Sequence, residues 1–413
     1  MKTRAEWILV VGLMLGLVAC GSDASPVSTS STTTTPDTSS TSGPTTSSTT
    51  VTTTVPTTQT STVPIEPFPT AAFAAISDDP VAEDVAAKFL AALDGMAPEG
   101  GIAATVMTPE GTWSGAAGTA DGVHDLEIDS QFGIASGTKP IIAAQVMLLV
   151  EAGEVLLDAP ATDYLPADFT FDTNGATIRQ LLSHRSGIPD WYDAERFAVD
   201  RSRVWELAEI LALVPAARRP VGSFEYADTN YNLLGLVIEH VRQRPLTDVL
   251  RDVVLRVEGT ERLIYQPDEA PTDPMAMPRG ESRDALELGG GYLPSISDTI
   301  DGAAGAMASD SISLARWWRA FCAGDIVSEA SLTEMAAFYD NLASELPVDY
   351  GLGLFNPAEL ASVKAVGHLG ANFGYKSSAG CLTEHPLIFV VLTNQDLNSF
   401  ALATPLVRAV LSD

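Results

Sequence analysis

Three stretches of this chain bring together side chains suited to acyl transfer. The first is Phe132-Gly-Ile-Ala-Ser136-Gly-Thr-Lys139-Pro140, in which a serine precedes a lysine by three positions. Residues i and i+3 share one face of a helix, so the Lys139 ammonium can reach the Ser136 hydroxyl. A serine at a helix start beside an amine is a sensible nucleophile. Helix dipole and burial both favour a neutral amine ready to take a proton. The second stretch is Phe224-Glu-Tyr226-Ala-Asp228, with a phenol followed two residues later by a polar acceptor. A phenolate held by neighbouring ammonium groups can deprotonate a serine. Tyr339-Asp-Asn341 also places a polar residue two positions after a tyrosine, but only 226–235 leads into an apolar helix. The third stretch is Gly367-His368-Leu369-Gly370-Ala371. A glycine-flanked strand lets a substrate backbone lie alongside, and its N–H groups can bind an oxyanion. A lone Ser-x-x-Lys is more often an ordinary helix start, and a lone histidine at a strand end more often packs. The ordered set is what points to chemistry.

These residues need rigid elements to hold them. Directly after Lys139 comes the apolar run Ile141 to Val150, which predicts a helix that stops at Gly153 and is buried because it is apolar nearly all round. Pro140 falls in the first turn, where its missing N–H costs nothing. Residues 79–95 read as an amphipathic helix, with Val81, Val85, Ala86, Phe89, Leu90 and Leu93 on one side. Strands are expected at Ile102–Thr108 and Thr112–Ala117, then at Tyr350–Phe355, Tyr375–Thr383 and Leu387–Asn394. Between them lie helices at 203–213, 230–242 and 303–322, and a last helix is expected at 399–412. Strands at both ends with helices between predict an α/β (α+β) fold, a sheet part at about 71–139 and 303–413 interrupted by a helical part at about 140–302. Residues 255–300, rich in Pro, Gly and acidic groups, are expected at the pocket rim.

The ends and the composition narrow the setting. Lys2 and Arg4 precede an apolar run from Trp7 to Ala19, too short to span a bilayer, so residues 1–19 read as a signal peptide. Leu17-Val18-Ala19-Cys20-Gly21 resembles the lipobox of bacterial lipoproteins, which implies cleavage before Cys20 and lipidation of its thiol. Residues 20–70 are then a disordered spacer: from Pro26 to Pro64, 32 of 39 residues are Ser, Thr or Pro, which leaves no apolar surface to offset chain entropy. The formal net charge is −30, and residues 1–65 hold only Lys2, Arg4, Glu6, Asp23 and Asp37, so nearly all of it falls on the remainder. Such a surface repels phosphate backbones, excluding nucleic-acid partners, and disfavours anionic lipid, leaving the anchor as the membrane contact. Cys322 and Cys381 could pair outside the cytoplasm, but two cysteines impose no disulfide framework. The five histidines show no metal-ligand spacing; no metal or cofactor is expected, and the protein is expected to be a monomer.

In the order Ser136-x-x-Lys139, Tyr226-x-Asp228 and His368-x-Gly370, the motifs resemble those of the serine β-lactamase and penicillin-binding-protein-like family. The branch is that of class C β-lactamases, D-Ala-D-Ala carboxypeptidases and related esterases. Leu181-Leu-Ser-His-Arg-Ser-Gly187, Val155–Pro166 and Asp228–Gly235 also match family wording, and the resemblance runs from about residue 78 to the C-terminus. It implies an antiparallel sheet flanked by helices with an inserted all-helical subdomain, and an active site between them. It also implies roles: Ser136 as acylated nucleophile, Lys139 as activating amine, Tyr226 as proton shuttle, and the N–H groups of Ser136 and Ala371 as oxyanion hole. Asp228, His368 and Gly370 would support them. Asp228 departs from the usual asparagine; it can accept from Lys139 but cannot donate to a substrate carbonyl, and its charge should hold Lys139 protonated. Leu369 departs from a hydroxyl residue and no lysine opens that motif, so the partners of a substrate carboxylate are missing. No Ser-Asp-Asn, Lys-Thr-Gly or Gly-x-Ser-x-Gly occurs, which excludes the class A pattern and an α/β-hydrolase. The expected activity is that of an extracytoplasmic serine hydrolase on a small ester or amide. The alternatives are a D-Ala-D-Ala carboxypeptidase or β-lactamase acting on cell-wall peptides or β-lactams, and a binding lipoprotein without catalysis.

Overall fold

Apolar residues on both faces of a strand require cover on both sides, and β8 below shows the pattern: Leu387, Phe389 and Val391 alternate with Ile388, Val390 and Leu392, all buried. The computed structural model describes residues 67–97, 100–191, 204–216, 218–272, 274–279, 299–339, 348–358, 362–372 and 374–411. In chain order the helices and strands are α1 (Thr70–Phe73), α2 (Glu83–Asp94), β1 (Gly101–Thr108), β2 (Gly111–Gly118), β3 (Phe132–Gly133) and α3 (Lys139–Glu151). Then come α4 (Ile178–Leu182), α5 (Leu207–Leu213), α6 (Asp228–Arg242), α7 (Leu246–Asp252), β4 (Ile264–Tyr265) and β5 (Met307–Ser309). The last are α8 (Ser311–Ala323), α9 (Glu329–Met335), β6 (Ala365–Asn372), β7 (Tyr375–Leu382), β8 (Leu387–Thr393) and α10 (Thr404–Leu411).

Five strands form one antiparallel sheet in the order β2-β1-β8-β7-β6, which puts N- and C-terminal segments side by side. One face packs Ile102, Ala104, Val106 and the odd-numbered β8 residues against Phe89 and Leu93 of α2 and Leu406 and Val407 of α10. The other face meets α8, whose Trp317, Trp318 and Phe321 join Ile388, Val390 and Leu392 in the larger core with α3 and α6. Cys322 on α8 is disulfide-bonded to Cys381 on β7, with Cα atoms 6.8 Å apart, fastening this helix to the sheet. A second sheet of three short strands, β3-β5-β4, lies beside the nucleophile segment.

Several expected elements differ in detail. Leu90 is 46% exposed, so the buried stripe of α2 is narrower than its apolar pattern. The helix expected at 303–322 is divided. Residues Gly302–Ala304 form a 3₁₀ turn, Met307–Ser309 are β5, and the helix proper starts only after Asp310, whose carboxylate accepts the Ser313 N–H at 2.6 Å. Tyr350–Phe355 is not a strand: Gly353 takes φ +77 and the segment folds back, leaving only isolated bridges from Tyr350 and Phe355. The region read as helical also contains β4, which is recruited by β5. The signal peptide, Cys20, the spacer, Asn341 and most of the expected pocket rim lie outside the described residues.

Candidate active site

Ser136 sits in a 3₁₀ turn, Ala135–Thr138, that runs directly into α3. Ala135 holds φ +50, an uncommon conformation for a residue with a side chain and a local strain of about 1–3 kcal/mol. The surroundings enforce it. Ile134 N–H donates to Met307 O at 2.9 Å, Met307 N–H donates to Thr138 Oγ1 at 3.1 Å, and Ser377 Oγ donates to Ile134 O at 2.8 Å. From Gln131 to Met147, Ser136 is the one residue that is not buried. The turn therefore presents a single hydroxyl from an otherwise sealed segment.

Lys139, the first residue of α3, is completely buried. Its ammonium donates to Ser136 Oγ at 2.9 Å, to Asp228 Oδ1 at 2.6 Å and to Ala304 O at 2.8 Å. Three acceptors match the three N–H bonds of a charged amine. Burial works to neutralise this amine, but the charge of Asp228, with hydrogen bonds to Asp228 and Tyr226, outweighs it and leaves the amine protonated more firmly than a free lysine. The neutral amine expected from burial and helix dipole is thus not what the site holds. Asp228 opens α6, where a negative group also suits the helix N-terminus.

Tyr226 precedes α6, and its hydroxyl interacts with both Lys139 and Ser136, while the Lys139 nitrogen lies 4.9 Å from its ring centroid. Its hydroxyl end is enclosed, and burial pushes the phenol up first. Lys139 opposes that shift and Asp228 adds to it, so the phenol is raised overall and protonated at neutral pH. Among the described residues one ammonium, Lys139, faces this phenol, and Asp228 offsets it.

Reading the sequence assigned no role to His184, in the Leu181–Gly187 turn. Its ring stacks on Tyr226 at 4.2 Å between centroids and 30° between planes. Its backbone, at φ +55, accepts the Glu225 N–H at 2.9 Å, and its Nδ1 accepts the Ala227 N–H at 3.2 Å. His184 therefore fixes the segment that carries Tyr226. The signal available was the histidine inside a turn that resembled family wording.

The third motif lies on β6, at the sheet edge. Gly370 abuts the nucleophile turn so closely that a Cβ there would be 2.1 Å from Ile134 O, which only glycine avoids. Gly367 N–H donates to Phe355 O on the outer edge at 3.0 Å. By strand alternation the N–H of Ala371 points to that same edge, where an oxyanion donor is needed. His368 is buried; its Nδ1–H donates to Leu369 O at 2.5 Å and its Nε2 accepts from Tyr350 Oη at 2.9 Å. Burial lowers it to about 3, with the Lys139 charge adding, so it is neutral. Leu369 packs with Tyr350, Phe355, Phe224 and Tyr226 and offers no polar atom. Among the described residues no cluster of three or more His, Cys, Asp or Glu could hold a metal ion.

With this geometry in place, the Beta-lactamase family model matches residues 69–412. The chain belongs to that family of serine hydrolases. It is 26% identical over 294 residues to penicillin-binding protein 4* of Bacillus subtilis, covering 66% of this chain and 62% of that one. It is 30% identical over 162 residues to esterase EstB of Burkholderia gladioli, covering 34% and 41%. The chain thus spans less than two thirds of these curated relatives. Among solved structures, a D-amino acid amidase of Ochrobactrum anthropi SV3 superposes with a TM-score of 0.70 at 25% identity, over 80% of this chain and 99% of that one. A D-stereospecific amidohydrolase of a Streptomyces species gives 0.67 at 25% identity, over 77% and 98%. Within the β-lactamase family frame, the distinguishing features of this site are the Asp228 carboxylate on Lys139 and the apolar Leu369 on β6.

Proposed function

We propose that the protein is an extracytoplasmic serine hydrolase that forms an acyl-enzyme at Ser136 on small esters or amides lacking a carboxylate beside the scissile bond. The observation that carries this reading is the Lys139 ammonium, which donates to Ser136 Oγ and leaves the serine's own proton for Tyr226. In this mechanism the Tyr226 phenolate takes that proton as Ser136 Oγ attacks the carbonyl carbon. The oxyanion forms between the N–H groups of Ser136 and Ala371, and Tyr226 returns the proton to the leaving oxygen or nitrogen. Water then releases the acyl group by the same relay. Since the phenol is raised, acylation quickens as pH rises toward its pKa. The preference against carboxylates rests on three features: Lys139 is fully occupied, His368 is neutral and Leu369 is apolar. The relatives named as esterase, amidase and amidohydrolase support ester or amide substrates in general. The Cys322–Cys381 disulfide suits an oxidising compartment, and the lipobox-like run at Cys20 suits anchorage outside the membrane.

Labelling the membrane-fraction protein with a fluorophosphonate and weighing it intact tests both parts. One adduct at Ser136, on a chain starting at a diacylglyceryl Cys20, is expected. A missing adduct overturns the hydrolase, and a missing diacylglyceryl mass overturns the anchor. Relative kcat/KM on a chromogenic cephalosporin, a D-Ala-D-Ala peptide and a short-chain aryl ester should be highest on the ester. The opposite order would assign a carboxypeptidase or β-lactamase instead.

A further inference from the structure

We infer that Asp228 makes this a site for substrates carrying an ammonium group on the acyl side, next to the scissile carbonyl: aminoacyl esters and amides rather than their N-acylated forms. The inference rests on the serine hydrolase reading and narrows its substrate class. A single nitrogen, Lys139 Nζ, separates the nucleophile from the Asp228 carboxylate, at 2.9 Å from Ser136 Oγ and 2.6 Å from Asp228 Oδ1. Lys139 is sealed off, whereas the Asp228 side chain keeps 24% of its surface exposed. Only Oδ1 is engaged; among the described residues Oδ2 has no hydrogen-bond partner. A part-exposed carboxylate with a free oxygen donates nothing; it accepts N–H or O–H donors, and its charge favours a cationic one. An amide carbonyl on the acyl group finds no donor in it, and acylating the substrate's amine removes the charge, leaving one neutral N–H where there was an ammonium.

The charge balance points the same way. Lys139 alone would give the site a positive charge that repels an ammonium; Asp228 cancels it, and Asp228 is part exposed whereas Lys139 is sealed. The neighbouring imidazoles add no cation, because His184 and His368 are both pushed down by burial first and by the Lys139 charge next. Over longer range the formal charge of −30 draws cationic molecules toward the protein and repels anions.

The test compares alanyl, N-acetylalanyl and propionyl p-nitroanilides, the first in both enantiomers, on wild type and Asp228→Asn. The propionyl compound is the alanyl compound without its amine, so the alanyl-to-propionyl ratio of kcat/KM isolates the ammonium and cancels any general effect on chemistry. Wild type should favour one alanyl enantiomer by tenfold or more over both neutral compounds. In Asp228→Asn that ratio should fall to about one, mostly through KM. A wild-type ratio near or below one for both enantiomers overturns the inference even if the variant does not fold, as does a ratio that survives in Asp228→Asn. Fluorophosphonate labelling of Ser136 in the same preparations separates the two failures. Labelled enzyme without the preference sinks this inference alone, and unlabelled enzyme sinks the hydrolase reading beneath it.

Discussion

Lys139 and His368 are both buried basic side chains of the site, and one is charged while the other is neutral. Lys139 is fully enclosed at the start of α3, and His368 is 2% exposed on β6. Burial pushes both toward neutrality. Lys139 stays charged because a carboxylate stands 2.6 Å away. His368 has a tyrosine hydroxyl and a carbonyl as partners, so burial wins and it falls to about 3. The decisive variable is the partner rather than the depth. The site therefore has one fixed cation, used internally, and a neutral histidine that braces Tyr350.

The largest effect should come from removing that cation. Lys139→Met should lower kcat/KM by about a thousandfold, within the usual span for a proton-transfer network. It should also destabilise the fold by about 3 kcal/mol, because Asp228 loses the ion pair with Lys139. His368→Gln, which loses hydrogen bonds but strands no charge, should cost about 1 kcal/mol. Chemical denaturation of the two variants measures the contrast. Equal costs would mean that Lys139 is neutral and the comparison is wrong.

Next in size is the acid response of the neutral side. An unfolded histidine binds a proton below about pH 6.5, whereas folded His368 resists until about 3, so its contribution to stability is lost as pH falls through that window. At pH 5 the loss is about 2 kcal/mol from this residue. His184, lowered by burial and by Lys139, acts in the same direction. Lower pH also relieves repulsion among the many carboxylates, so the useful measurement is a difference of slopes. Tm plotted from pH 7 to pH 5 should fall less steeply for His368→Gln than for wild type. Parallel slopes would show that His368 is not held neutral.

A smaller shift tests how far Asp228 sets the charged side. Tyr226 must be ionised to accept the Ser136 proton, and Asp228 raises its pKa. Asp228→Asn removes that negative charge, so the alkaline rise in acylation rate should move down by about one pH unit, roughly tenfold in rate at a fixed pH on the limb. The profile should be taken with a neutral ester. An unmoved or upward-moving limb would remove Tyr226 from the base role.

How much of this could be read from the chain varies with how local the signal is. The nucleophile helix was legible because its apolar run, Pro140 and Gly153 are all neighbours in sequence. The antiparallel sheet was legible as strands, but its order was not, since pairing β1 with β8 joins residues almost three hundred apart. The stretch after Ala303 misled because its helical composition hides β5, a strand that exists only through pairing with β3 and β4. Tyr350–Phe355 misled because an alternating apolar run cannot show that Gly353 turns it back. At the site, Ser136, Lys139 and Asp228 were named from types and spacing. The charge of Asp228, read from sequence, also predicted a protonated Lys139, against the neutral amine favoured by burial and helix dipole. His184 was missed because its stacking on Tyr226 depends on a left-handed backbone and a contact across 42 positions.

The smallest effect concerns what neither buried base provides. Among the described residues a substrate carboxylate meets no free cation at Lys139 or His368, since Lys139 is occupied by Ser136, Asp228 and Ala304 and His368 is neutral. Leu369 lies between His368 and Gly370 on the edge strand and is 7% exposed, so its side chain is the nearest place to add a polar group. Leu369→Thr supplies one hydroxyl donor, and a single such hydrogen bond is worth about 1 kcal/mol net. Acylation by a carboxylate-bearing cephalosporin should therefore rise about fivefold. The smaller side chain leaves a gap against Tyr350 and Phe355 and lowers stability by about 2 kcal/mol, so rates should be taken well below Tm. A neutral ester supplies the reference. If the ester and the cephalosporin change by the same factor, Leu369 governs the shape of the site and not its indifference to carboxylates. If only the cephalosporin gains, the missing hydroxyl is part of why this site turns anionic substrates away.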